Sequence, residues 1–210
     1  MWRCPKAGFF NSLLGIEGLL RDPAESLLYL FYDDNQHIYG THLDFPIADP
    51  PLLLCENCRN TQSIFAGFMD YYLGDSTPEP VGPAGRPVEK IQTDDDAGEH
   101  AAVERVLRRL LNEEGIPPSA ITLLTGRARE KSHWKEGAHI AGTTLSWSPN
   151  AQSAAIACST IHSFKGLENS VVIVTETSQT PEKALRELLY VAYSRAKFHL
   201  VVCCQPTVCP

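Results

Sequence analysis

Nine consecutive residues hold most of the chain's chemical potential: Thr160-Ile161-His162-Ser163-Phe164-Lys165-Gly166-Leu167-Glu168. Apolar runs at Ala154–Thr160 and Val171–Thr175 flank them, so the segment reads as a polar loop leaving one buried strand and entering another. Gly166 permits close approach of backbone to a ligand. Lys165 can meet a phosphate, and Glu168 can accept from sugar hydroxyls. The same residues also suit an ordinary loop with a capping glycine and surface charges. A second segment, Leu188 to Lys197, has helical spacing, with Leu185, Leu188, Leu189 and Ala192 on one face. Arg195 falls on the flank of that face, while Lys183 and Arg186 project from the far side. A guanidinium beside the core needs a partner. A carboxylate, the helix's own C-terminal carbonyls or a bound phosphate could each serve. Ser194 and Cys158 have no identifiable base, so a nucleophilic enzyme is disfavoured.

These groups must be positioned by regular elements. Residues 8–21 and 61–72 have helical spacing, and 27–32 and 51–55 are short apolar runs suited to buried strands. Residues 74–87, rich in Pro and Gly, read as a surface loop. Asp94-Asp95-Asp96 supplies negative charge for a helix N-terminus. Val103, Val106, Leu107, Leu110 and Leu111 form the apolar stripe of that helix, which Gly115 and Pro117-Pro118 stop. Ile121–Leu124 reads as a strand and 137–153 as loop or weak β. Thr180 is the expected N-cap and Pro181 the first residue of a helix to about Lys197. His199–Cys204 is a closing strand. Strands alternating with helices imply an α/β fold with a mainly parallel sheet. Ligand loops are then expected beyond the carboxyl ends of the strands.

The chain has 210 residues, 43% of them hydrophobic, enough for one full domain and a sizeable core. Net charge is −7, which argues against a dedicated nucleic-acid binder. The acidity is uneven, however. Residues 1–100 hold 16 acidic and 6 basic side chains, against 9 and 12 in residues 101–210. No apolar run approaches the roughly 18 residues of a membrane span, and the first residues lack a signal-peptide pattern. A soluble, cytoplasmic protein without a membrane partner is expected. Seven cysteines, an odd number without a secretory signal, favour reduced thiols. Cys55-x-x-Cys58 lacks the second pair a zinc site wants, so no metal ligands are assigned.

Two further stretches join these segments in a family resemblance. Tyr32-Asp33-Asp34-Asn35-Gln36-His37-Ile38-Tyr39 looks like motif III of UvrD/Rep-type superfamily 1 DNA helicases. Glu56-Asn57-Cys58-Arg59-Asn60-Thr61 resembles motif IV, Thr160–Glu168 is similar to motif V, and Leu189–Lys197 to motif VI. The four occur in the family's order. The resemblance implies a RecA-like (P-loop NTPase-type) fold, a mainly parallel sheet with flanking helices. It places residues 1–46 as the remnant of a first RecA-like domain and 47–210 as the second, C-terminal one.

The resemblance also implies roles. Gln36 would sense the γ-phosphate of ATP, and Arg59 and Arg195 would reach it, Arg195 as an arginine finger. Gly166 and Glu168 would line the nucleotide, Glu168 at the ribose. Thr160, His162 and Lys165 would lie along single-stranded DNA, and Tyr39 would pack within motif III. The sequence departs from the family at several points. These 210 residues contain no G-x-x-x-x-G-K-[ST] phosphate loop and no Asp-Glu pair before motif III, so Mg2+ and the phosphate cradle would come from a first RecA-like domain in cis or trans. Cys58 stands where an adenine-stacking aromatic is usual, and Gly40-Thr41-His42 where a DNA-stacking ring often follows. About 100 residues separate motifs IV and V, too few for a large accessory insertion. The expected function is the C-terminal part of an ATP-dependent DNA helicase, inactive alone. The alternative is a non-catalytic RecA-like module that binds DNA or protein.

Overall fold

The computed structural model describes residues 52–73, 77–148 and 154–205. Gln36, the rest of the motif III resemblance and the expected first-domain remnant lie outside them. Among the described residues the element order is β1 (Glu56–Asn57), α1 (Gln62–Met69), β2 (Glu79–Pro80), β3 (Glu89–Gln92), α2 (Asp96–Arg108), β4 (Ile121–Thr125), β5 (His139–Ile140), β6 (Thr143–Ser146), β7 (Ile156–Thr160), β8 (Asn169–Thr175), α3 (Glu182–Tyr193) and β9 (Ala196–Cys204).

The main sheet runs β3-β9-β8-β4-β7-β6-β5, parallel throughout except for the β5–β6 edge hairpin. Its central strands are buried on both faces. Val172, Val174, Leu200 and Val202 pack on one side with α1 and α3 residues such as Phe68 and Leu189. Leu123, Ile173, Val201 and Cys203 pack on the other with Val103, Val106 and Leu107 of α2. The expected α/β architecture is therefore present as a parallel sheet between helical layers.

Local signals explain most boundaries. Asp95 caps α2, its carboxylate accepting from the Gly98 amide at 2.7 Å. After α2 a π-turn, Arg109–Glu113, leads to Gly115 at φ +66°, the left-handed stop that a glycine supplies. Helix α3 begins one residue later than expected, with Pro181 itself as the extended N-cap residue. It also ends earlier, at Tyr193, and β9 takes over from Ala196.

Other expectations need correction. The run 51–55 does not enter the main sheet. Leu52, Leu53 and Leu54 are exposed, and only Glu56–Asn57 pair, with β2, in a separate two-stranded sheet. Strand β3, Glu-Lys-Ile-Gln, was not expected, because a four-residue edge strand with half its residues exposed carries little apolar signal. Cys55, Cys58, Cys158 and Cys203 are free thiols, but Cys204 is disulfide-bonded, against the expectation of reduced cysteines. No helix among the described residues is long and apolar enough to cross a membrane.

Candidate functional site

The connection from β7 to β8 organises the site. Thr160 ends β7 at the carboxyl edge of the sheet, and Asn169 opens β8 at the amino edge. β4 lies between these two strands. Residues 161–168 thus carry the chain from one edge to the other past β4, with Ile161 and Phe164 buried in the core shared with α1 and α3. The motif V residues are accordingly divided between opposite edges. Thr160 remains at the carboxyl edge; Glu168 arrives at the amino edge.

At the amino edge Glu168 gathers cations. Its carboxylate lies 2.9 Å from Arg59 Nε and 3.1 Å from Lys197 Nζ. The Lys197 hydrogen bond outweighs the opposing desolvation and, helped by the charges of Arg59, Lys197 and Arg195, holds the Glu168 carboxyl below the usual range. Arg195 lies beside this group but is buried, at 2% exposure. It donates to Val191 O at 3.1 Å, Ser194 Oγ at 2.9 Å and Leu167 O at 3.4 Å. Of the partners open to it from sequence, a carbonyl at the end of its own helix is one that it uses. Gly166 sits at φ +87°, and a Cβ there would meet nothing within 4 Å. Its requirement is conformational rather than one of crowding.

Motif IV is fixed to the same edge by a residue the sequence did not single out. Asn60, 2% exposed, donates from Nδ2 to Ala196 O at 2.6 Å and to Ser194 O at 3.2 Å. Its Oδ1 accepts from Asn57 Nδ2 at 3.1 Å. Thr61 N donates to Lys197 O at 3.2 Å. Arg59 is therefore tied through its neighbours to the turn carrying Arg195. Asn60→Ala leaves two buried carbonyls without this donor, and a loss of about 1–3 kcal/mol in denaturant unfolding is expected. A variant as stable as the parent would show that the turn is held otherwise.

The carboxyl edge holds Thr160, whose Oγ1 donates to Ser163 Oγ at 2.9 Å and accepts from Ser163 N at 3.0 Å. His162 and Lys165 follow it in the chain and are exposed. A buried polar cluster lies along the same edge. Glu176, 3% exposed and at φ +55°, accepts from Thr125 Oγ1, from Ser132 Oγ at 2.6 Å and from His133 N at 2.8 Å. Arg127 Nη1 lies 3.5 Å away, and Arg127 also grips Asp96 with Nη2 at 2.8 Å. Glu99, also buried, accepts from Glu176 N at 2.7 Å. A cleft of about 530 Å³, lined by Asp94, Asp95, Asp96, Arg127, Gln179 and Gln205 among others, opens beside this cluster. Nothing in the sequence flagged Glu176 or Glu99, because both are isolated acidic residues.

Burial, with the nearby negative charges of Glu176 and Asp96, raises the Glu99 pKa over the lowering effect of its hydrogen bonds. A carboxyl with a raised folded pKa binds its proton more tightly when folded. Its contribution is then fullest below the unfolded pKa, about 4.3, and is lost as pH rises towards the folded value. Glu99→Gln removes this titration while keeping an amide oxygen for Glu176 N. Relative to the parent, the variant gains stability as pH rises from acid to neutral. Unfolding curves at a series of pH values test this, and a pH-independent difference would contradict it.

Among the described residues no group of three or more His, Cys, Asp or Glu is placed to hold a metal ion. Of the sequence-expected residues, Arg59, Glu168 and Arg195 come together at the amino edge, Thr160 lies at the carboxyl edge, and His162, Lys165 and Gly166 lie on the crossing between them. The β7–β8 crossing delivers Glu168 to the edge opposite the carboxyl ends, where ligand loops are expected in such sheets.

The sequence profile of the UvrD-like helicase C-terminal domain matches residues 155–203, which hold the motif V and VI segments. No curated protein matches the chain significantly. Among solved structures, the C-terminal domain of a possible DNA helicase from Lactobacillus plantarum WCFS1 is similar, with a TM-score of 0.54 and 20% identity, covering 73% of this chain and 90% of that one. At that identity the likeness establishes the fold. Residues 155–203, which span strands β7 to β9 and helix α3, are thus similar to a UvrD-like helicase C-terminal domain, and the fold around them is like that of the solved domain.

Proposed function

We propose that this domain supplies the arginine half of an inter-domain ATP site and part of a single-stranded DNA track in a helicase motor. The observation that carries this reading is the convergence of Arg59, Glu168, Lys197 and Arg195 from motifs IV, V and VI at one sheet edge. The donor set fits a nucleoside triphosphate. Arg59, half-exposed, offers a guanidinium to phosphate oxygens, and the Glu168 carboxylate can accept from ribose hydroxyls. Bound ATP would bridge the cleft and draw the two domains together, and its γ-phosphoryl group would pass to water as the bond to ADP breaks. The protein's part is to hold anionic oxygens and stabilise developing charge. Arg195 acts as the finger after its side chain turns out of its present bonds to Val191 and Ser194. Gln36 serves as γ-phosphate sensor, and a first RecA-like domain, in cis or trans, contributes the phosphate loop and Mg2+ ligands. Thr160, His162 and Lys165 carry the DNA at the far edge.

In this reading the chain does not turn over ATP by itself. Titration of the full chain with a fluorescent ATP analogue should give weak binding that Arg59→Ala weakens further, with no phosphate release. Sub-millimolar affinity accompanied by turnover would sink the reading. The burial of Arg195 favours one competitor, a RecA-like module that has kept the fold for binding without catalysis. Motor activity restored by adding a phosphate-loop domain, and abolished by Arg195→Ala, distinguishes the two.

A further inference from the structure

We propose that Arg129 and Trp147 form a stacking platform for one base of single-stranded DNA, beside the motif V end of the track. The inference rests on the DNA reading above and deepens it.

The Arg129 guanidinium carbon lies over the Trp147 ring, 5.5 Å from its centroid. Both side chains are braced. Trp147 Nε1 donates to Trp134 O at 2.8 Å, fixing the indole plane. The Glu136 carboxylate accepts from Arg129 Nη2 at 3.1 Å and from Trp147 N at 2.8 Å, so one anion holds the guanidinium edge and the backbone under the ring. Trp147 also packs against the α2 side of the core. An Arg held at its edge with one side towards an indole has its other side free for a flat ligand, and Arg129 is half-exposed. That face is the surface on which unpaired bases stack, because every base has a π-face and guanidinium planes receive it without regard to sequence.

The position fits the track. Trp147 directly follows β6, in which Ser146 pairs with Ala157 of β7. Trp147 is therefore level with Cys158, one strand over and two residues short of Thr160. Strand spacing and rise place the Cα atoms of Trp147 and Thr160 roughly 8 Å apart. The loop supplying Arg129 also starts from this edge, since Thr125 of β4 pairs with Thr160 and Ile161 N donates to Thr125 O. Around the platform, residues 127–136 include Arg127, Arg129, Lys131 and Lys135 against Glu130 and Glu136. Lys131 and Lys135 are exposed and available to backbone phosphates while the base rests on Arg129. None of these residues belongs to the four helicase motifs.

The test compares two fluorescent oligonucleotides of equal length, oligo-dT and an abasic tract, which share phosphates but differ in bases. Affinity of the full chain is read by polarisation at fixed low salt. Trp147→Ala and Arg129→Ala should each weaken oligo-dT binding about tenfold and leave abasic binding nearly unchanged. Trp147→Phe should retain most of the dT preference. Lys131→Ala, a phosphate contact, should weaken both oligonucleotides equally. Equal losses on both substrates for Arg129→Ala and Trp147→Phe, or no loss in any platform variant, would overturn the proposal while leaving the DNA track intact. A parent chain that binds neither oligonucleotide overturns the track reading and the platform together. Arg129→Ala guards against misfolding of Trp147→Ala, since Arg129 lies half in solvent.

Discussion

Glu176→Ala should unfold the domain more readily than any other single change at the carboxyl edge, by about 3–5 kcal/mol. Three donors converge on this carboxylate: the Thr125 and Ser132 hydroxyls and the His133 amide. Arg127, 7% exposed, lies within ion-pair distance as well. Alanine strands all three donors in a pocket too enclosed for easy hydration. It also leaves Arg127 to rely on Asp96, whose carboxyl is partly open to solvent. The arginine would keep one bidentate partner, which bounds the loss. Glu176→Gln separates charge from hydrogen bonding. Its amide oxygen can still accept, but its NH2 faces donors, so it should recover only part of the loss. Urea unfolding of the three proteins at neutral pH gives the order parent, Gln, Ala. If alanine costs less than about 1 kcal/mol, the cluster is not holding the loop onto the sheet.

The same cluster shows where sequence reading stops. Strands β4 and β8 and the Leu200–Cys204 end of β9 were legible as short, largely apolar runs that are buried on both faces, and β7 was legible although it is only partly buried. Helix α2 was legible from its apolar stripe and from the acidic run Asp94–Asp96 at its start, within which the structure makes Asp95 the cap. The amino-edge residues Arg59, Glu168 and Arg195 were named from the family resemblance, and the β7–β8 crossing brings Glu168 to the other two. No local pattern encodes that crossing, so the division of motif V between opposite edges could not be read. Glu176, Glu99 and Asn60 escaped for another reason. Each is a single polar residue whose role depends on partners 43 to 136 positions away. The exposed leucines 52–54 misled in the other direction, since an apolar run resembles a buried strand whatever it meets.

The Pro/Gly loop read simply as surface has a more specific role, and Gly85→Ala should expose it with a loss of about 2–4 kcal/mol, combining overpacking with left-handed strain. Gly85 sits at φ +74°, and a Cβ there would lie 2.3 Å from Thr61 Cβ and 2.5 Å from its Oγ1. Thr61 is the N-cap of α1, so the clash falls on the start of the helix. The loop also satisfies that helix's first amides: Pro83 O accepts from Gln62 N at 2.8 Å and Ala84 O from Ser63 N at 3.1 Å. These are donors that a helix cannot pair within itself. The loop thus closes over the N-terminus of α1 and fixes the turn that carries Arg59. Displacing it should therefore affect function as well as stability. Thr61→Gly removes the clashing side chain but also the cap, so the double variant tests the geometry directly. Combined with Gly85→Ala, it should cost less than the two single losses added together. Fully additive losses would mean that Gly85 and Thr61 do not meet, and the loop's hold on motif IV would then rest on the Pro83 and Ala84 carbonyls alone.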